Sequence, residues 1–312
     1  MSNIIYAPQS WNPISGCSPV SEGCANCWAK VMARRQRQEW GTVHLRSQRV
    51  LEQPLHWRNP KTVAVAFMGD WCHPDVPDEF IDKVFAVMAL TPQHTYLLLT
   101  KRPERMRRYL TNPAVAAGVA REAMLQPWLP WQDSVVAETI LWGGNIPGRY
   151  TPVGLSNWPL PNVWLGVSAE NQARADERIP LLLETPAAHR WVSLEPLLEA
   201  VDLVWKGSPT SSGWLDSIDW AVIGGESGSH ARPCNLGWIR DIRDQCKAAG
   251  VPCYVKQVGA KPVVDVRASR FRSRLHRVYA PVLVRDRKGE NPDEWPADLR
   301  VREMPEARAW VE

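Results

Sequence analysis

Short apolar runs alternate along the chain with longer stretches of helical pattern. Val63–Met68, Thr95–Leu99, Val163–Val167, Arg190–Leu194, Trp220–Gly224 and Cys253–Val255 read as strands, with an earlier one near Ile4–Trp11. Between them, Ala25–Gln38, Asp78–Ala89, Pro103–Leu110, Ala173–Leu183 and Leu236–Ala248 read as helices. Such alternation predicts parallel strands joined by helical crossovers. Most of the strand runs are almost continuously apolar, as strands covered on both faces are. Six or seven such units make an α/β fold, a full or partial (β/α) barrel, with a doubly wound open sheet as the other arrangement of the same pattern.

Two regions depart from the alternation. Asn112–Gln126 reads as an extra helix, and a Trp/Pro/Gly-rich stretch follows it to Pro161, so 112–161 is expected as an insertion between the third and fourth strands. The segment from Pro262 is basic and then Pro-rich. The expected organisation is a barrel domain over 1–261, insertion included, and a C-terminal extension over 262–312. Apolar runs such as Thr62–Met68 and Tyr96–Leu99 fall far short of the roughly 20 residues a membrane span needs. Met1–Tyr6 shows no basic region followed by an apolar core. A cytoplasmic protein without a membrane partner is the expectation.

Hydrophobic residues at 45% and charged residues at 22% exclude wholesale disorder. The 17 Trp, against 4 Phe, and the 27 Pro are unusual. Many fall together, at Pro127-Trp128, Pro130-Trp131, Trp158-Pro159 and Trp295-Pro296. Rigid loops packed by indoles account for them, with base or cofactor stacking as the alternative. The net charge of +4 is mild but unevenly spread. Residues 261–288 carry nine Lys/Arg and two Asp, and Lys101, Arg102, Arg105, Arg107 and Arg108 form a second basic group. Solvated helix faces explain either group, and a nucleic-acid partner contacting 101–108 and 261–288 explains both.

The seven cysteines, an odd number, argue against a disulfide framework. Cys72, Cys234, Cys246 and Cys253 are scattered and read as small buried hydrophobes. Cys17, Cys24 and Cys27 fall within eleven residues. Cys24 and Cys27 would share a face of the first turn of Ala25–Gln38, where a helix N-terminus favours thiolate. Cys17 would return from a Gly/Pro/Ser loop to complete a triangle. Soft thiolates suit zinc or an iron–sulfur cluster. Three ligands leave one coordination position open, whereas a fourth from Cys72 or His73 would close the site into a structural one.

In parallel α/β folds chemistry collects where strands end. Asp70, Lys101, Glu170, Glu195, Glu226 and Lys256 stand at the ends of successive expected strands, with Ser168 just before Glu170. Four acids and two lysines can satisfy one another or hold a zwitterionic ligand. Gly224 and Gly225 permit close backbone approach.

These residues carry a resemblance. Trp11-Asn12-Pro13, Gly16-Cys17, Gly23-Cys24-Ala25-Asn26-Cys27-Trp28-Ala29, Leu98-Leu99-Thr100-Lys101-Arg102-Pro103, Trp164-Leu165-Gly166-Val167-Ser168, Ser193-Leu194-Glu195-Pro196-Leu197, Gly224-Gly225-Glu226-Ser227-Gly228 and Val255-Lys256-Gln257 look, in order, like a phage- and prophage-associated family of largely uncharacterised three-cysteine proteins. That family is similar in turn to radical S-adenosylmethionine enzymes. The resemblance implies a partial (β/α) barrel with a [4Fe–4S] cluster on Cys17, Cys24 and Cys27, whose open iron S-adenosyl-L-methionine chelates. Reduction by an unidentified reductant then yields a 5′-deoxyadenosyl radical that abstracts hydrogen from substrate. It also implies Ser168, Glu170, Glu195 and Glu226 as polar holders of the cofactor, with Asp70, Gly224 and Gly225 beside them. Lys101 and Lys256 become the groups for substrate contact or proton transfer. The first cysteine interval is wider here than the radical enzymes' usual one. Gly224-Gly225-Glu226 follows the sixth strand, whereas the corresponding motif in those enzymes follows the second, where Asp70 stands here. A nucleic-acid-binding module with a structural zinc or closed cluster is the competing reading. A methyltransferase or nuclease on a similar barrel would want a phosphate-cradling Gly loop or a carboxylate cluster of metal-site spacing, and neither is present.

Overall fold

The computed structural model describes residues 4–125, 140–146, 149–204, 213–265 and 279–305, with backbone alone over 140–146 and 149–154. In chain order it forms β1 (Gln9–Trp11), β2 (Ile14–Ser15), α1 (Trp28–Arg35), β3 (His44–Leu45), α2 (Gln48–Leu51), β4 (Thr62–Val65), α3 (Asp78–Ala89), β5 (Thr95–Thr100), α4 (Pro103–Leu110), α5 (Val115–Met124), β6 (Ile140–Ile146), β7 (Arg149–Leu155) and β8 (Val163–Ser168). There follow α6 (Gln172–Leu183), β9 (His189–Leu194), β10 (Trp220–Gly224), β11 (Cys234–Asn235), α7 (Leu236–Ala249), β12 (Cys253–Gln257), β13 (Pro262–Asp265) and β14 (Tyr279–Pro281).

Seven strands form a parallel sheet in the order β1-β4-β5-β8-β9-β10-β12. The chain supplies them in the order in which they pair. A (β/α) barrel has that sequential order, whereas a doubly wound sheet reverses at a switch point. The expected α/β class therefore holds and the doubly wound alternative does not. Among the described residues no pairing joins β1 to β12, which fits the partial rather than the full barrel. Every residue of β8 and of β10 is buried, the physical source of their unbroken apolar runs. No helix among the described residues is long and apolar enough to cross a membrane.

The chain divides into two compact units, one of Met1–Pro19, Ala29–Val167 and Leu181–Arg190, the other of Val20–Trp28, Ser168–Pro180 and Trp191–Glu312. In the first, Ser10 lies beside Ala64, Ala64 beside Leu97 and Leu97 beside Trp164 across β1, β4, β5 and β8. Aromatic rings fill its core. Trp71 lies 5.8 Å from Phe85, which in turn lies 5.9 Å from Tyr109 and 5.8 Å from Trp158. Within the expected insertion, α5 and the antiparallel pair β6 and β7 are described. The Pro127-Trp128 and Pro130-Trp131 pairs lie outside the described residues.

In the second unit, Val192 of β9 lies beside Ala221 of β10, and Ala221 beside Cys253 of β12. Asn235 caps α7 by accepting from the Gly237 amide at 2.8 Å. The described part of 262–305, expected as an extension, is woven into this unit. Its Val301 carbonyl accepts from Val255 at 2.8 Å and its Gly289 carbonyl from Val258 at 3.0 Å. The indole of Trp220, 5.6 Å from that of Trp191, donates to the Glu303 carbonyl at 2.9 Å. Trp295 likewise donates to Gly289 at 3.0 Å, and in the first unit Trp11 donates to Val50 at 2.9 Å. These indoles do packing work, with the N–H satisfied by a carbonyl.

Candidate functional site

In the second unit Cys24 closes a single 3₁₀ turn, Glu22–Cys24, and the Cys27 amide donates to the Cys24 carbonyl at 3.3 Å. The helix expected from Ala25 begins only at Trp28. Cys24 and Cys27 therefore stand on the turns before α1, not inside its first turn. The reason lies in the residues between them and beside them. The Asn26 side chain donates to Glu226 Oε2 at 3.0 Å and to the His230 carbonyl at 2.9 Å, and the Gly23 amide donates to Glu170 Oε1 at 3.2 Å. Gly and Asn gain little from a helix and here find tertiary partners instead.

The acids at the ends of β8 and β10 hold this turn. Glu170 is fully buried, and its other oxygen accepts from Arg178 Nη1 at 3.0 Å. Arg178, also buried, donates to the Ser168 carbonyl at 2.7 Å. Glu226 accepts from Arg232 Nη2 at 2.6 Å, from its Nε at 3.0 Å and from its amide at 2.8 Å. Burial works against the Glu226 carboxylate, but hydrogen bonds from Arg232 and Asn26 outweigh it and hold its pKa below the ordinary value. Arg232 reaches on to the Glu22 carbonyl at 2.9 Å, and the Glu22 side chain accepts from Asn171 and, at 3.3 Å, from Arg174.

Glu195 and Lys256 form a pair of their own. Lys256 Nζ lies 3.1 Å from Glu195 Oε1, with the side chains 18% and 12% exposed. Ser193 donates to Glu195 Oε2 at 3.4 Å. The two glycines expected to admit a ligand are filled by the chain itself. A Cβ on Gly224 would meet Glu195 Oε1 at 2.4 Å, and one on Gly225 the Val258 carbonyl oxygen at 2.5 Å. Gln257 also donates to the Gly225 carbonyl at 2.8 Å.

In the first unit Asp70 is the hub. Its Oδ2 lies 2.8 Å from Arg102 Nη1, and its Oδ1 accepts from Thr100 at 2.7 Å and from the Cys72 amide at 2.9 Å. Lys101, half-buried, donates its backbone amide to Asp70 Oδ2 at 3.2 Å. Arg102 Nη1 stands 3.4 Å from the Cys17 sulfur, and Nη2 donates to the Ser18 carbonyl at 2.8 Å. Burial opposes the Arg102 charge, but Asp70 and Cys17 raise its pKa above the usual arginine value.

The two residues considered as a fourth ligand are occupied. Burial first, then Asp70, pushes the Cys72 thiol well above its ordinary pKa, the reverse of what a ligand needs. His73 Nε2 is 2.7 Å from Ser18 Oγ, and its Nδ1 accepts from the Asp75 amide at 3.2 Å.

Three of the five basic residues in Lys101–Arg108 are neutralised. Arg102 pairs with Asp70, Arg105 with Asp78 at 2.7 Å and Arg107 with Glu184. In the other group, Arg267 to Arg277 lie outside the described residues. Sequence reasoning missed Arg178, Arg232 and Asn26. Arg178 left a trace, since it shares a helical stripe with Ala175, Ile179 and Leu182, all buried. A charge in an apolar stripe calls for a buried partner.

All seven cysteines are free, and they divide sharply. Cys17, Cys24 and Cys27 are half-buried, whereas Cys72, Cys234, Cys246 and Cys253 are buried. Cys17 belongs to the first unit, Cys24 and Cys27 to the second. Among the described residues no three His, Cys, Asp or Glu side chains are gathered as a metal-ion site. The donor chemistry of three accessible thiols nonetheless suits a soft metal centre.

The chain belongs to the family described as Protein of unknown function (DUF5131), whose model matches residues 1–295. No curated protein and no solved structure matches it.

Proposed function

We propose that this member of the family is a radical S-adenosylmethionine-like iron–sulfur enzyme of the phage-associated three-cysteine kind. Cys17, Cys24 and Cys27 would hold a [4Fe–4S] cluster with one iron open to S-adenosyl-L-methionine. The observation that carries the reading is the division of the thiols: the three grouped in sequence stay accessible while the four scattered ones are buried. The sequential parallel order of the strands supports it. When bound, the cluster would supply the single electron that cleaves the sulfonium of S-adenosylmethionine, drawn from an external reductant.

The chain's own residues then divide their work. Glu170, through Gly23, and Glu226, through Asn26, hold the turn that bears Cys24 and Cys27. Asp70 holds Arg102 beside Cys17. Ser168 anchors Arg178 by its carbonyl. Glu195 and Lys256 are suited to a zwitterion, because each can exchange its partner for the opposite charge of an amino-acid group and no charge is left unpaired. Gly224 lets Glu195 lie flat against β10. Gly225 lets the Val258–Gly259 backbone close over it. Lys101 remains the candidate for substrate contact, and a nucleic acid or nucleotide is the substrate class we favour.

Anaerobic reconstitution with iron and sulfide tests the reading. Expected are about 4 Fe and 4 sulfide per chain and a broad band at about 400 nm. The reduced-state spectrum should change when S-adenosylmethionine is added, and Cys24→Ala should lose the iron. Colourless protein carrying zinc overturns it.

A further inference from the structure

One strongly basic stretch of the first unit is spread too thinly for short sequence runs to show it. Residues 29–61 hold eight Lys/Arg against only Glu39 and Glu52. Arg34, Arg35, Arg37, Arg49 and Arg58 are exposed. Among the described residues none of the five is paired with an acid. In the group Lys101–Arg108 the case is the reverse: three of its five basic residues are held by carboxylates.

The backbone brings most of these arginines together. Arg34 and Arg35 form the last turn of α1. The chain then folds back, with the Arg37 amide donating to the Arg34 carbonyl at 3.1 Å and the Gln38 amide to the Ala33 carbonyl at 2.9 Å. Arg37 takes a left-handed φ of 55° at this reversal. The Gln38 side chain accepts from Arg46 at 3.0 Å, and Arg49 follows on α2. A helix C-terminus accounts for two arginines in its last turn. It does not account for Arg37, Arg49 and Arg58.

We propose that this arginine surface, between Arg34 and Arg58, docks the phosphate backbone of a nucleic acid. Guanidinium groups match phosphate oxygens in a planar, bidentate way. Exposed, unpaired charges gain most from releasing the counterions of a polyphosphate. A membrane surface fits less well, because Val31 and Leu45 are the only large apolar side chains exposed in this stretch. An interfacial segment needs an apolar face to enter the lipid. The proposal is independent of the cysteine chemistry and stands or falls separately from it.

The test uses the full chain as purified, without added iron. Binding is followed by fluorescence anisotropy on labelled duplex DNA, single-stranded DNA and RNA, each about 25 nucleotides long, over a salt series. The double variant R34A/R37A is compared with K83A/R121A, which removes the same charge elsewhere in the same unit. Thermal melts establish that both variants fold. The first variant should bind at least about fivefold more weakly, with a salt slope shallower by about 2, while the second keeps wild-type affinity. The probe bound most tightly identifies the kind of nucleic acid. Equal losses in the two variants, no binding to any probe, or tighter binding to phosphatidylserine vesicles than to nucleic acid would each overturn the proposal.

Discussion

The amide of Gly23 donates to Oε1 of Glu170 across 3.2 Å, and a Cβ placed on Gly23 would stand 2.8 Å from the Glu170 carboxyl carbon. The carboxylate cannot withdraw, because Arg178 holds its other oxygen and the side chain has no exposed surface. Gly23→Ala should therefore overpack the site and cost about 1–3 kcal/mol. Glu170→Ala should cost more, about 3–5 kcal/mol, since it leaves Arg178 buried without a partner. Urea unfolding of the two variants gives the ranking. If Glu170→Ala proves the milder change, the buried pair does not hold the cysteine turn.

The burial of the cysteines makes a counting prediction. In the native protein a bulky aromatic disulfide reagent should modify three thiols rapidly, and the remaining four only after denaturation. Cys17→Ser, Cys24→Ser and Cys27→Ser should each lower the rapid count by one. Cys234→Ser should leave it unchanged. Rapid labelling of Cys72 or Cys246 would show that the native state opens where this structure is closed.

How far the sequence could be read depended on whether a residue's partner was local. The strands were legible to within a few residues, because β8 and β10 are buried on both faces and so carry unbroken apolar runs. Asp78–Ala89 and Pro103–Leu110 were legible from helix to helix end. The start of α1 was not. It is set by Glu170 and Glu226, 147 residues from Gly23 and 200 from Asn26, and nothing near the cysteines announces them. The strand-end acids were legible as positions but their partners were not, because Arg178 and Arg232 carry no local signal that pairs them with Glu170 and Glu226. The exposed arginines before β4 escaped notice because they are spread over two short helices and the loops between them. The denser run Lys101–Arg108 is conspicuous in sequence although three of its five charges are paired.

Glu195 and Lys256 should separate binding from stability. The pair is mostly buried but not sealed, so Lys256→Ala leaves Glu195 in reach of both Ser193 and water. A double-mutant cycle with Glu195→Ala should return a coupling of about 0.5–3 kcal/mol in urea unfolding. If the pair binds a zwitterion, either single variant should weaken S-adenosylmethionine binding to the reconstituted protein about tenfold or more, beyond any change in melting temperature. Undiminished binding in both variants would remove them from the cofactor site and leave them a fold contact.

The C-terminal segment offers a prediction with a definite sign in pH. Asp298 accepts from Arg240 Nε at 2.7 Å and from Arg243 Nη1 at 2.9 Å on α7. The hydrogen bond from Arg240 foremost, with Arg243 adding to it against burial, lowers its pKa from 3.8 to about 2. The folded chain thus releases this proton more readily than the unfolded chain. The contact contributes fully above about pH 3.8 and is lost as the pH falls towards about 2. Its side chain is 45% exposed, so solvent screening keeps the contribution below about 1 kcal/mol. Melting curves of the wild type should therefore fall more steeply across that interval than those of Asp298→Asn. The two should converge at the acid end and in high salt. Parallel pH profiles would mean that the ion pair adds nothing to the docking, and that contacts such as those at Val255, Val258 and Trp220 hold the segment without it.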